Sequence, residues 1–129
     1  MQEEPLDELY RAYLDCLNRQ AWDELGRHVD DDVEHNGRRL RLSGYRDMLV
    51  GDFAAIPDLR FRIELLVVEP PHVAARLAFE CTPIGDFLGL PVDGRRISFA
   101  ENVFYTFARS KITSVRSVID KVASEAQLS

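Results

Sequence analysis

Leu6, Leu9, Tyr10, Tyr13, Leu14 and Leu17 recur at steps of three and four, with Glu8, Arg11, Asp15 and Arg19 between them, which predicts one amphipathic helix. Pro5 suits its first turn, and acidic residues complement its positive end. Asn18 is a stop before a short second helix containing Ala21, Trp22 and Leu25, which Gly26 ends or weakens. Past the solvated turn Asp30-Asp31-Asp32, the pair Asn36-Gly37 signals a tight turn between two short extended pieces, the second running from Arg39 to Leu42. Its arginines alternate with apolar residues and read as a solvated strand edge. Ser43 caps a third helix from about Gly44 to Ala55, with Tyr45, Met48, Leu49, Phe53 and Ile56 on one side and Pro57 as its stop.

The rest of the chain reads as strands. Leu59 to Glu69 alternates and then runs apolar; Pro70-Pro71 forces a turn; Val73, Ala75, Leu77, Phe79 and Cys81 alternate. A loop from Gly85 to Gly94 lacks the Gly-Lys-Ser/Thr ending of a phosphate cradle. Two long strands follow, Arg95 to Phe107 and Lys111 to Asp120, and the tail from Lys121 to Leu128 adds a helical turn. Three helices followed by antiparallel strands predict an α+β domain, helices packed on one face of a curved sheet, with a pocket between the layers.

Pairing Ala108 with Lys111 sets a register for the last hairpin, in which Phe99 faces Asp120, Glu101 faces Val118, Val103 faces Arg116 and Tyr105 faces Ser114. Asp120 and Glu101 then become diagonal neighbours on an apolar face, where desolvation and like charge raise a carboxyl's pKa and suit it to general acid and base work. A one-residue change would send carboxylates to the other face, and a capping or ion-paired Asp120 is the plain alternative. His35, in the entry loop, is a second acid or base candidate. Tyr10, Tyr13, Tyr105, Asn36 and Asn102 are candidate donors to a carbonyl or enolate oxygen.

Composition narrows the chemistry. The chain has 129 residues, 46% hydrophobic and 29% charged, which suits a single domain, 1–129, with one core. Its 22 acidic against 16 basic side chains give a net charge of −6, which disfavours nucleic acid and anionic lipid as partners. The start is acidic and carries no apolar leader, and no apolar run approaches a membrane span, so the expected location is cytoplasmic. Cys16 and Cys81 stand far apart, and His28, His35 and His72 show no metal-ligand spacing. No metal and no cofactor is therefore expected.

The run Asp-Phe-Leu-Gly-Leu-Pro-Val-Asp-Gly-Arg-Arg-Ile-Ser-Phe from 86 to 99, then Lys111-Ile112 and Ser-Val-Ile-Asp ending at 120, resembles the SnoaL-like polyketide cyclase or ester cyclase family. The opening is similar too, with Tyr13 to Asn18 and Ala21-Trp22-Asp23 ahead of an acidic turn and Val33. The resemblance implies the cone-shaped fold of nuclear transport factor 2 and ketosteroid isomerase, a homodimer formed through the sheet, and a deep pocket for a small, largely apolar molecule. It also implies cofactor-independent aldol ring closure, with Asp120 at the position of the family's acid and base. The chain departs from the family at Cys81-Thr82-Pro83, at Ser110, and at Arg116, which stands where an aromatic is usual. An arginine on the pocket face would favour an anionic substrate or neutralise Asp120 and Glu101. The enzyme reading is a cyclase or a related isomerase or lyase on a small carbonyl compound, and two others stand beside it: a non-catalytic module that binds a small apolar ligand or dimerises, and a dehydratase or epoxide hydrolase.

Overall fold

The computed structural model describes residues 5–84 and 96–120, together with the backbone of 86–87 and 90–91. Most of the predicted loop 85–94 and the predicted helical tail after Asp120 lie outside the described residues. Helix α1 is Leu6–Asn18, which buries Tyr10, Tyr13, Leu14 and Leu17, the stripe its periodicity predicts. The short second helix is a 3₁₀ helix, Trp22–Arg27, that runs one residue past Gly26. Strand β1, Val29–His35, turns through Asn36 and Gly37 into β2, Arg38–Arg39. Both turn residues take positive φ, 49° and 82°, as a two-residue hairpin turn requires.

Helix α2 spans Arg41–Ala55 and begins ahead of the expected Ser43 cap. The cause is Leu42, which packs against the core one turn before buried Tyr45, Leu49 and Phe53 and so extends the helical stripe backward. The expected extended piece from Arg39 to Leu42 is accordingly cut short at Arg39.

Strands β3 (Arg62–Glu69), β4 (His72–Cys81), the short pair β5 (Asp86–Phe87) and β6 (Leu90–Pro91), β7 (Ile97–Ala108) and β8 (Lys111–Ile119) complete the chain. The main sheet has the order β2-β1-β8-β7-β4-β3. It is mixed rather than wholly antiparallel, because β1 runs parallel to β8. The rest of the sheet separates these two strands in sequence, so no hairpin fixes their direction.

The register of the last hairpin differs from expectation. Ala108 pairs with Lys111 and Phe107 with Ile112 as predicted, but Thr106 then pairs with Ser114, leaving Thr113 as an extra residue in β8. The Thr113 hydroxyl donates to the Thr106 carbonyl at 3.2 Å. Beyond such a bulge the strand's faces exchange. Val115, Ser117 and Ile119 therefore join Glu101, Val103 and Tyr105 on the inner face, while Arg116 and Val118 turn outward.

The core lies between α1, α2 and the inner face of the sheet, where Tyr10, Tyr13, Leu17, Leu77, Val73 and Ile112 are almost wholly buried. The outer face carries two aligned rows across the strands, Leu65, Arg76, Asn102, Val118 and Val67, Ala74, Phe104, Arg116. Among the described residues no helix is long and apolar enough to cross a membrane.

Candidate functional site

A cavity of about 430 Å³ opens between the helices and the inner face of the sheet. Helix α2 gives it Tyr45, Met48, Leu49 and Asp52, four positions one or two turns apart on a single side. Tyr13 of α1 faces them, and β1 ends in the cavity with His35. The floor is Glu101, Val103 and Tyr105 of β7 beside Val115, Ser117 and Ile119 of β8. Among the described lining residues there are two carboxyl groups and one imidazole, and no lysine or arginine.

Both carboxyl groups of the described lining are perturbed upward. Burial first, and then the nearby Asp52, push the pKa of Glu101 from 4.5 up to about 7, while a hydrogen bond from Ser117 acts the other way. Burial also raises Asp52, to about 6, although its outer edge stays open to solvent at the cavity rim. His35 is half-buried, and its pKa is lowered by burial and then by Arg38, which leaves the imidazole neutral at pH 7. Its Nε2 lies 3.4 Å from the Ser117 hydroxyl, so His35, Ser117 and Glu101 form a connected polar line across β1, β8 and β7.

Four buried tyrosines accompany this line, Tyr13, Tyr45 and Tyr105 in the lining and Tyr10 behind Tyr105. The hydroxyls of Tyr13 and Tyr45 are 2.6 Å apart, and Tyr10 donates to Tyr105 at 3.2 Å. Each phenol carries one hydrogen, so the first pair uses one and keeps one, and Tyr105 accepts and keeps its own. Tyr13, Tyr45 and Tyr105 line the cavity. Burial is the main cause that holds all four phenols above their ordinary pKa and so protonated at neutral pH.

The structure thus brings together His35, Glu101, Tyr13 and Tyr105, with Tyr10 behind Tyr105 in the core. Of the other predicted residues, Asn36 lines the cavity, and Asp120, Asn102 and Arg116 do not. Asp120 follows Ile119 on the outward side, with its carboxylate 3.9 Å from Arg76, so the extra Thr113 overturns the register that set it beside Glu101. Asn102 also faces outward and accepts a hydrogen bond from Arg76 at 3.0 Å. Arg116 is exposed on the same outer face, paired across the strands with Phe104. Asn36 lines the cavity, but its side chain is spent on the backbone: its Oδ1 accepts from the Ser117 amide at 2.8 Å, and its Nδ2 lies 3.4 Å from the Ser117 carbonyl.

Ser117, Tyr45 and Asp52 are the site residues that the sequence reading passed over. Asp52 was visible as a carboxyl seven residues after Tyr45 on an apolar stripe. Ser117 was hidden by the bulge. Among the described residues no group of three or more His, Cys, Asp or Glu is arranged to hold a metal ion.

Helices laid on one face of a six-stranded mixed sheet, with a tyrosine-walled cavity between, define a cone-like α+β pocket domain. The family of SnoaL-like polyketide cyclases matches residues 7–128, and the chain belongs to that family. It is similar to a SnoaL-like polyketide cyclase from Agrobacterium tumefaciens, 61% identical, with 98% of this chain and 100% of that one covered and a TM-score of 0.97. TsrD from Streptomyces laurentii shares the fold at 21% identity and a TM-score of 0.83, covering 99% of this chain and 97% of its own. IdmH from Streptomyces antibioticus, a candidate polyketide cyclase, does so at 18% and 0.83, covering 97% and 99%. A search of curated proteins finds no match.

Proposed function

We propose that this chain is a cofactor-independent enzyme of the cyclase type, which moves a proton next to a carbonyl of a small neutral compound, with Glu101 as the proton carrier. The observation that carries this reading is a carboxyl group set into a cavity whose described lining residues include no lysine or arginine, with its pKa raised to about 7, where both its forms are populated at neutral pH.

In its ionised form Glu101 takes the proton from a carbon beside a carbonyl, and the bonding electrons move onto the carbonyl oxygen. The unused hydroxyl hydrogens of the Tyr13–Tyr45 pair and of Tyr105 hold that enolate oxygen. The enolate carbon then bonds to a second carbonyl carbon of the same molecule, and the resulting alkoxide takes the proton back from Glu101. Every electron and proton is accounted for within the substrate and Glu101. Ser117 and neutral His35 fix the orientation of Glu101. With Arg116 on the outer face, none of the described lining residues favours an anionic substrate.

The test is deuterium incorporation from heavy water into the acidic carbon of ethyl acetoacetate, followed by proton magnetic resonance. The wild type is expected to accelerate exchange, and Glu101→Gln to lose about 100-fold or more. Full exchange activity in Glu101→Gln would overturn the reading and favour the non-catalytic binding module.

The assembly proposed with it is a homodimer through the outer face of the sheet. Leu65, Val67, Phe104 and Val118 stand there between 54% and 67% exposed, the first two neighbours on β3 and the last two diagonal neighbours across β7 and β8, with Ala74 between the pairs. Cys16 and Cys81 are both free and buried, which suits work in a reducing cytoplasm.

A further inference from the structure

The cavity does not end at Glu101. Asp52, Phe61, Glu101 and Ile119 are shared with a second, smaller space of about 90 Å³, completed by Ile56, Leu59, Phe79 and Phe99. Those four are all buried. Phe79 and Phe99 stack at 4.9 Å and 18°, and Phe61 meets Phe79 edge-on at 5.3 Å, so three rings wall it. Its polar side chains among the described residues are the two carboxyls at its entrance.

A water molecule needs two to four polar partners, and the described side chains at the inner end of this space offer none, so it favours an apolar occupant. Its size limits that occupant. A dry apolar cavity of roughly 150 Å³ takes a benzene ring, and the space here, about 90 Å³, is little more than half of that, which suits a short chain rather than a ring.

We infer that this annex is a specificity subsite for an unbranched alkyl substituent of two or three carbons, carried by the substrate close to the carbon that faces Glu101. The assignment rests on the proposed reaction only in calling the bound compound a substrate; the subsite itself is read from the shape and chemistry of its walls. Full transfer of each methylene into such a space strengthens binding by about fourfold, so the annex discriminates chain length steeply until it is full. A phenyl group gains nothing, because it does not fit.

The experiment uses methyl, ethyl, propyl and benzyl acetoacetate, titrated into the wild-type protein at pH 5.5, where Glu101 is largely protonated. Binding is followed through the ring signals of Phe79 and Phe99 in carbon–proton spectra. The Kd is expected to fall about three- to fourfold with each added carbon from methyl to propyl, with both rings shifting, and the benzyl ester to bind no better than the methyl ester. Phe99→Leu is expected to raise affinity for the benzyl ester selectively. A Kd that stays flat from methyl to propyl, or a benzyl ester that binds wild type as tightly as the propyl ester, would overturn the annex. The two readings fail separately: a flat series leaves the exchange activity of Glu101 untouched, and a Glu101→Gln variant with full exchange activity leaves a steep series untouched.

Discussion

Replacing Glu101 by Gln removes a proton-binding group while keeping its shape, and its effect on stability is set by pH. The carboxyl ionises near 4.5 in the unfolded chain and near 7 in the folded protein. Between those values the unfolded chain has released a proton that the native state still holds, so rising pH favours unfolding. The contribution of Glu101 is therefore fully favourable below pH 4.5, is lost as pH rises from 4.5 through 7, and is constant above. At about 1.4 kcal/mol for each pH unit, the interval corresponds to a loss of about 3 kcal/mol. Gln carries no such proton and escapes the loss. Urea unfolding of both proteins at pH 4, 5.5, 7 and 8.5 reads this directly. The variant is expected to gain about 3 kcal/mol on the wild type between pH 4 and pH 8.5, most of it between 4.5 and 7. Parallel stability curves would refute the reasoning, because they would mean that Glu101 ionises alike in both states and is not held in an apolar cavity. A residue that carries the chemistry is thus predicted to weaken the fold as pH rises to neutral.

Three further outcomes follow from the same geometry. Asp120→Asn removes an outward-facing partner 3.9 Å from half-exposed Arg76, so it is expected to leave deuterium exchange unchanged and to cost no more than about 1 kcal/mol in urea unfolding. Tyr13→Phe takes one hydroxyl from the 2.6 Å pair; exchange is expected to fall by about tenfold or more, and stability by about 1 to 3 kcal/mol, because the buried Tyr45 hydroxyl loses its partner. Phe104→Arg replaces an exposed apolar ring of the outer face with a charge directly across from Arg116, and light scattering should then report a monomer where the wild type is a dimer; an unchanged mass would locate the interface elsewhere.

Most of the architecture was legible because local rules and burial agree. The α1 stripe, the Asn36-Gly37 turn and the alternation of β4 each specify their own geometry without reference to a partner. The inward direction of Glu101 was legible for the same reason: Val103, Tyr105 and Phe107 mark the inner face of β7 on that strand alone. The position of Asp120 was not, because it depends on β8 keeping step with β7. One extra residue, Thr113, breaks that step, and the family resemblance pointed to Asp120 with equal force. A trace of the break was present in the sequence. Ile112 and Val115, both buried, are three residues apart, a spacing that an unbroken strand cannot place on one face. The parallel pairing of β1 with β8 left no local trace at all, since it arises from the docking of distant segments.

The direction and environment of Glu101 decide the account, and its carboxyl carbon reports both. In a carbon-detected titration of labelled protein, the Glu101 Cδ signal is predicted to move with a midpoint near pH 7. A midpoint at or below 4.5 would place that carboxyl in water or beside a cation, and the proposed proton carrier would be gone.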